Sequence, residues 1–582
     1  MRNRINRRDF VKLGASAALG RQAAFAIPPT PAEEIFSDRT KEAGIDFVHF
    51  NGMSGFHFYP EVMGSGVALF DYDNDGDLDI FVVQGAMLGP IDMSKAIFPP
   101  QLPLRGRLYR NDSVRNPDGT STLKFVDVTE ECGIRAEGYG MGVTAGDFNN
   151  DGWVDLYITN LGHNQMWRNN GNGTFTDVTA ETGTNFASWS ICAAFVDYDR
   201  DGWLDLFVAN YLDFRFTNLT KCLSPSGAQD YCSPLTLNPL PNRLFRNRRD
   251  GTFEDVTERS GIGGEFNGAM GLICADFNGD GWPDFFVADD LRPNQLWINQ
   301  HDGTFKNDAL AAGCALDRDG NPQSGMGVDA GDLLGHGFED LAVATMTGEH
   351  ADLYSNDGKG LFDDMSYESG IAAATRRYTG FGMGMLDYDN DGWLDLFLAC
   401  GAVRRIEEEA GKGSPYPYAQ ANLLLHNNGQ GRFGDVSGRA GSAFSHLAVG
   451  RGAAFGDIDN DGATDIVIVN NSGPARLLMN NVGHRNPWIG FRMVGDKYRR
   501  DMLGTRVAVF RRDAPTLWRR VHTDGSYCSS SDPRVLFGLG GSSEIIKVQA
   551  HWVSGRVEEW TGLPLGKYTT LREGSGTTKT AP

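Results

Sequence analysis

No apolar run in the 582 residues approaches the ~18 needed to cross a bilayer as a helix, so no segment reads as a transmembrane span. Basic charge is also short: 53 Lys and Arg face 75 Asp and Glu, a net of -22. That balance argues against a general nucleic-acid binder, because a phosphate backbone repels such a surface. The eight cysteines contain no CxxC pair and no spacing suited to zinc. Catalytic signatures are missing too: there is no HExxH, no G-x-S-x-G, no Walker loop and no dinucleotide-binding glycine turn after a strand. What the chain has in excess is glycine, 74 residues without a three-residue period, which excludes collagen and points to a turn-rich soluble protein.

The first 26 residues read as an export signal. Arg2, Arg4, Arg7, Arg8 and Lys12 precede the weakly apolar stretch Leu13 to Gly20, and Ala24-Phe25-Ala26 supplies a small-x-small cleavage site. Arg7-Arg8-Asp9-Phe10-Val11-Lys12 resembles the twin-arginine export motif, which implies a prokaryotic host, a cargo folded before transport, and a periplasmic or secreted destination. In such an oxidising compartment Cys222 and Cys232, which share the loop KCLSPSGAQDYC, are expected to form a disulfide. Cys192 and Cys274 lie in apolar strands and read as small core residues.

Repetition dominates the remainder. The element Asp-x-Asp/Asn-x-Asp-Gly-x-x-Asp recurs as DYDNDGDLD, DFNNDGWVD, DYDRDGWLD, DFNGDGWPD, DYDNDGWLD and DIDNDGATD. Its candidate ligands are Asp71, Asp73, Asp75 and Asp79 with the carbonyl of Asp77, then Asp147, Asn149, Asp151 and Asp155 with that of Trp153. Next come Asp197, Asp199, Asp201 and Asp205 with Trp203, and Asp276, Asn278, Asp280 and Asp284 with Trp282. The last two sets are Asp387, Asp389, Asp391 and Asp395 with Trp393, and Asp457, Asp459, Asp461 and Asp465 with Ala463. Oxygens at positions 1, 3, 5 and 9, a carbonyl at 7 and water can surround one hard cation, while the glycine at 6 permits the turn. Calcium suits this cage better than magnesium, which resists losing its waters. An EF-hand would need a following helix; here the chain continues as DIFVVQ or DLFVAN, which are strands. A seventh copy, DLLGHGFED at 332 to 340, keeps only Asp332 and Asp340, so about six calcium ions are expected.

Each loop is preceded by a strand of small residues, such as GMGVTAGD, and followed after a variable gap by a hairpin such as QMWRNNGNGTFTDVT. Four strands repeated seven times predict an all-β, seven-bladed β-propeller with the glycine-rich strand innermost. The last repeat lacks its fourth strand and IFSDRT stands orphaned at 35 to 40, so the N-terminal strand is expected to complete the seventh blade. The repeats resemble the FG-GAP/VCBS calcium repeats of integrin α-subunit propellers. Residues NPWIGFRMVG, DMLGTRVAVF, RRVHTDGSYCSSSDPRVLFGLG and VQAHWVSGRVEEW resemble the ASPIC/UnbV module. Together they look like the cartilage acidic protein family and its bacterial relatives, which implies an extracellular calcium-binding protein without a defined enzymatic activity. The expected organisation is a signal over 1–26, a propeller over 27–483, a small β-rich module over 484–574 and a disordered tail over 575–582.

A meander puts the acidic loops and hairpin turns on one face. The three long gaps, 84 to 107, 210 to 242 and 401 to 421, rise from the other. Connections on that face carry His49, His57, Tyr59, Trp189, Arg376, Arg377, Tyr378 and His446, a set suited to a ligand or partner pocket, or else to loop cores beneath the insertions. Charge is segregated: residues 484–582 hold 16 basic and 9 acidic side chains, while residues 27–483 carry -34. The basic module could dock against the acidic propeller, with a solvated face the favoured reading, and 22 carboxylates of the propeller are accounted for as metal ligands. A binding protein for an unidentified protein or glycan, with structural calcium and no nucleic acid, is the reading these features favour. The alternative is an enzyme at the channel mouth using His49, His57, His446, Arg376 or Arg451.

Overall fold

Small residues let first strands crowd an axis, and apolar residues on both sides of the second strand require cover on both faces. Ala269–Ala275 and Asp284–Asp289 show the result, with every residue of both strands buried. The computed structural model describes residues 34–217 and 220–579; the export signal assigned to 1–26 lies outside them. Among the described residues, seven antiparallel four-stranded arrays repeat, the second and third joined into one larger sheet by the pairing of Ala187–Trp189 with Leu161–His163. The first strands neighbour one another in cyclic order, Val67–Phe70 contacting both Tyr139–Gly146 and Gly450–Gly456. Phe36–Asp38 pairs antiparallel with Arg476–Asn480 and supplies the fourth strand of the last blade.

One hydrogen-bonded unit recurs in all seven blades. The aspartate that ends each acidic loop is buried and accepts two backbone amides: Asp205 takes Tyr198 N at 3.3 Å and Asn247 N at 2.8 Å. The side chain of that third-strand asparagine then donates to two carbonyls, one in its own blade and one in the blade before it. Asn247 reaches Leu204 O at 2.9 Å and Phe148 O at 2.8 Å. Asn169, Asn299, Asn356, Asn427 and Asn480 do the same to Tyr72, Tyr198, Phe277, Leu333 and Tyr388. Asn111 closes the cycle on Ile458 O of the last blade at 3.0 Å. The latch satisfies buried carbonyls that no strand pairing reaches.

The basic C-terminal module docks on the acidic loops, a correction to the expectation of a solvated face. Trp488–Val494 lies between Val535–Gly538 and Tyr568–Arg572, and a second sheet runs in the order Leu517–Arg520, Arg506–Arg511, Ile545–His551, Val557–Trp560, Thr577–Lys579. Thr577–Lys579 is therefore a strand, correcting a tail placed from residue 575; it pairs with Val557–Glu559, and Lys579 sits 3.5 Å from Glu559. Arginines explain the docking. Arg500 donates to Asn150 Oδ1 at 3.0 Å and Gly202 O at 3.3 Å, and Arg534 donates to Asn460 Oδ1 at 2.6 Å and Asp457 O at 2.8 Å. Arg492 lies 3.7 Å from Asp71, and Arg519 3.9 Å from Asp387.

The module also fills the bore of the propeller. Residues 523–532 descend along the axis and meet the first strand of every blade. Ser530 exchanges backbone bonds with Val67 and Leu69, Val143 N donates to Cys528 O, and Val328 N donates to Ser526 O, all within 2.9 to 3.0 Å. Cys528 N donates to Cys192 Sγ at 3.2 Å, Cys274 N to Asp524 Oδ2 at 2.6 Å, and Ser526 Oγ to Ala453 O at 2.8 Å. Tyr527, fully buried, packs edge-on against Phe381. Inward groups of the crowded strands thus find partners in this segment.

Replacing Asn247 with Ala should cost about 2–4 kcal/mol in urea unfolding, because two buried carbonyls lose their donor. Asn170→Ala at an exposed hairpin tip should stay within about 0.5 kcal/mol. Equal losses at the two positions would remove the latch from the account.

Candidate metal centre and recognition face

Loop geometry follows from the repeat. The first aspartate accepts the amides of the fifth and sixth residues, as when Asp147 takes Asp151 N at 3.1 Å and Gly152 N at 2.7 Å. The fourth residue adopts left-handed backbone, φ 55–59° at Asn74, Asn150, Arg200, Asn390 and Asn460, which asparagine tolerates better than most residues. Asn74, Asn150, Asn390 and Asn460 donate onward to the glycine carbonyl of the next loop. Carboxylate oxygens converge as a result. Ligand atoms of Asp71, Asp73 and Asp79 lie within 4.8 Å of one another, as do those of Asp197, Asp199 and Asp205, and of Asp387, Asp389 and Asp395.

Burial is the main cause of the electrostatics. It pushes the Asp457 carboxyl up to about 8, Asp395 and Asp461 to about 7, and Asp71, Asp147 and Asp197 to about 6. Asp73 Oδ1, Asp197 Oδ1 and Asp459 Oδ1 are buried and accept no hydrogen bond. An all-oxygen donor set with orphaned carboxylate oxygens fits a hard divalent cation such as calcium, which would supply the missing positive charge. Neighbouring basic side chains already reach these carboxylates: Arg246 Nε lies 2.7 Å from Asp199, Arg249 Nη2 2.7 Å from Asp201, His301 Nε2 2.9 Å from Asp280, and His426 Nδ1 3.1 Å from Asp395. Sequence reasoning missed these four. Their signal is positional: Arg246 and His426 immediately precede the latch asparagine, and Arg249 and His301 follow it by two residues. In the fifth loop His336 stands where the others place a carboxylate, its Nε2 3.0 Å from Asp340 and Nδ1 3.6 Å from Asp332.

On the opposite face the three long gaps knit into a roof. Asp230 accepts Tyr418 OH and Arg405 N, both at 2.9 Å, and Ser226 reaches Glu407 at 2.8 Å. The Cys222–Cys232 disulfide staples the middle insertion. Arg451, fully buried, donates to Val62, Gly401, Gly450 and Ala402 carbonyls and lies over the Phe381 ring. Cys192 and Cys274 are free and buried.

This roof decides where the candidate recognition residues lie. His49, Tyr59 and Trp189 are buried beneath it, at 2 %, 8 % and 1 % exposure. Burial holds the His49 imidazole down to about 3, so it is neutral, and Ser472 N donates to its Nδ1 at 3.2 Å. Tyr59 OH meets Tyr211 OH at 3.0 Å, and Tyr211 in turn bonds Asp290. His57 is half-buried against Tyr231, Tyr378 is half-buried, and Arg376, Arg377 and His446 are exposed. Phe56 and Phe216 stand out from an aromatic cluster with Phe58 and Phe214, at 51 % and 37 % exposure. No helix among the described residues is long and apolar enough to cross a membrane.

A ring of acidic-loop blades with a docked β-module defines a class of protein, and the comparisons agree with it. The family described as FG-GAP-like repeat matches residues 147–208, 227–287 and 276–343, and that described as ASPIC and UnbV matches 495–578. The chain carries FG-GAP-like repeats together with an ASPIC and UnbV module, and in that combination it is similar to the cartilage acidic proteins. It is 24 % identical to cartilage acidic protein 1 of Homo sapiens over 315 residues, 52 % of this chain and 43 % of that protein. The Xenopus tropicalis protein of the same name is 22 % identical over 370 residues, 54 % of this chain and 56 % of that protein. The chain thus spans about half the length of the curated relatives it matches. Among solved structures, an Agrocybe aegerita lectin specific for non-reducing terminal N-acetylglucosamine aligns with a TM-score of 0.34 and 16 % identity, over 71 % of this chain and 87 % of that one.

Glu61 generates a pH prediction away from the acidic loops. Fully enclosed by the roof, it accepts Tyr231 OH at 2.8 Å, its Oε1 has no partner, and burial raises its carboxyl to about 7. Native Glu61 keeps its proton where the unfolded chain, with an ordinary value of 4.5, has lost it. Stability should therefore fall as pH rises from 4.5 to about 7 and level off above, by an amount on the order of 3 kcal/mol. Thermal melts of Glu61→Gln should be flatter over that window and higher than wild type at pH 8; parallel profiles would refute the assignment.

Proposed function

We propose that this chain is an exported, calcium-stabilised β-propeller that works as a binding protein, its partner a protein or glycan met on the insertion face. The observation that carries the reading is the closure of the scaffold at both ends. Residues 523–532 fill the bore from the metal face and the knitted insertions roof the other, which leaves exposed loop side chains as the chemistry open to a partner. Phe56, Phe216, Arg376, Arg377 and His446 are such side chains. The disulfide at Cys222–Cys232 supports an oxidising destination, in keeping with the twin-arginine-like signal proposed at residues 1–26. Calcium in the six intact loops would offset the buried carboxylates and hold each loop to its latch.

Two experiments test these parts separately. Calcium that binds only the native state adds about 2.7 kcal/mol per site at a hundredfold excess over Kd, so melting in millimolar calcium should exceed melting in chelator by many degrees. Elemental analysis should find about six ions per chain, and Asp199→Ala should lower stability far more than Asp332→Ala. Superimposable melts would end the calcium reading. For recognition, Ala at Phe56, Phe216, Arg376 and Arg377 should abolish capture of partners from native-host extracts or glycan arrays while leaving the melting temperature within a few degrees. Undiminished capture would place the surface elsewhere.

A further inference from the structure

Where the module meets the third, fourth and fifth blades, the surfaces part around a cavity of about 620 Å³. Small-molecule sites commonly have that volume, with apolar walls and a few fixed polar groups. Phe195, Trp282 and Trp552 provide the walls, and Arg506, Arg520 and His522 line the module side. Hydrogen-bonding capacity around the cavity is unequal. Its carboxylates are engaged: Asp276 accepts Asp280 N and Gly281 N, Asp280 accepts Trp282 N and His301, and Asp524 accepts Cys274 N. Its donors are not. Arg520 gives Nε to Glu339 at 2.7 Å and approaches Asp524 through Nη1 at 3.5 Å, yet Nη2 has no partner although the side chain is only 3 % exposed. A guanidinium N–H removed from water and left without an acceptor is unfavourable, and it points to an acceptor that the protein itself does not supply. Arg506, stacked on Trp518 and bonded to Gly337 O, brings a second guanidinium to the same wall. His522 turns Nδ1 to Asp524 O at 3.0 Å and keeps Nε2 free.

We propose that this cavity binds a small organic oxyanion, its carboxylate or phosphate held by Arg520 and Arg506 beside His522 and its body packed on Trp282 and Trp552. Charge-assisted hydrogen bonds from the free guanidinium N–H groups suit either anion, and the apolar walls favour a ligand with a ring or chain over an inorganic ion. The site is independent of the insertion-face partner and lies on the other side of the molecule.

Isothermal titration of the full chain in millimolar calcium would use three probes that share one sugar body: glucuronate, glucose 6-phosphate and neutral glucose. At least one anion should bind, one molecule per chain, with glucose silent; which anion binds separates carboxylate from phosphate recognition. Arg506→Gln and His522→Gln should each weaken that binding about tenfold or more. Arg520→Gln should abolish it. Because that change also strips Glu339 of its partner, the other two variants, checked by circular dichroism, carry the test if it fails to fold. Glucose binding as tightly as the anions, anion affinity unchanged in both rim variants, or no heat from any probe at millimolar concentration would overturn the proposal.

Discussion

A single buried carboxylate per blade, the aspartate that ends each acidic loop, carries three duties at once. It begins the second strand, it fixes the loop by accepting the amide of the second loop residue, and it orients the latch asparagine that binds the preceding blade. Burial makes its negative charge expensive, so the group needs either a proton or a nearby cation. The latch asparagines offer only neutral amides. Ring integrity and loop electrostatics are therefore coupled through the same side chain, which is why stray cations from Arg246 and His426 lean into loops whose carboxylates crowd together.

The docking of the module follows from the same crowding. A propeller carrying -34 presents its densest charge on one face, and a module with 16 basic residues finds acceptors there that are already aligned by the loop turns. Arg500 and Arg534 do not simply form ion pairs; each reaches the side-chain oxygen of a left-handed asparagine and a loop carbonyl, so neutral acceptors share the work of desolvating the guanidinium. The acidic loops are thus covered from outside as well as cross-linked from within.

Much of this was legible in the sequence, and for a physical reason. Position-specific constraints repeated six times survive variation elsewhere, so the acidic loops, the four-strand repeat, the orphan strand at Phe36 and the insertion disulfide could be read from spacing and count. The latch could have been read too, since every third strand ends in asparagine, but an asparagine next to a hairpin turn looks like a turn former until its partner in another blade is known. What could not be read is contact between elements distant in the chain. Nothing local in RRVHTDGSYCSSSDP says that Tyr527 lies on the axis of seven blades, and a run of aromatic and basic loop residues does not reveal which of them a neighbouring insertion will cover. His49, Tyr59 and Trp189 were covered; Arg376, Arg377 and His446 were not.

Filling of the bore by residues 523–532 has a consequence for the order in which the molecule is made. Blades emerge from the ribosome first, yet the innermost strands keep unmet inward amides until a segment some 450 residues downstream of the first blade arrives. Contacts of such sequence separation form late and slowly, because a long loop must close before they reward it. The inward edges of the blades consequently stay open until after the last blade has paired with Phe36–Asp38, and the final seal belongs to residues 523–532. A chain stopped before residue 484 would lack the axle around which the seven blades close.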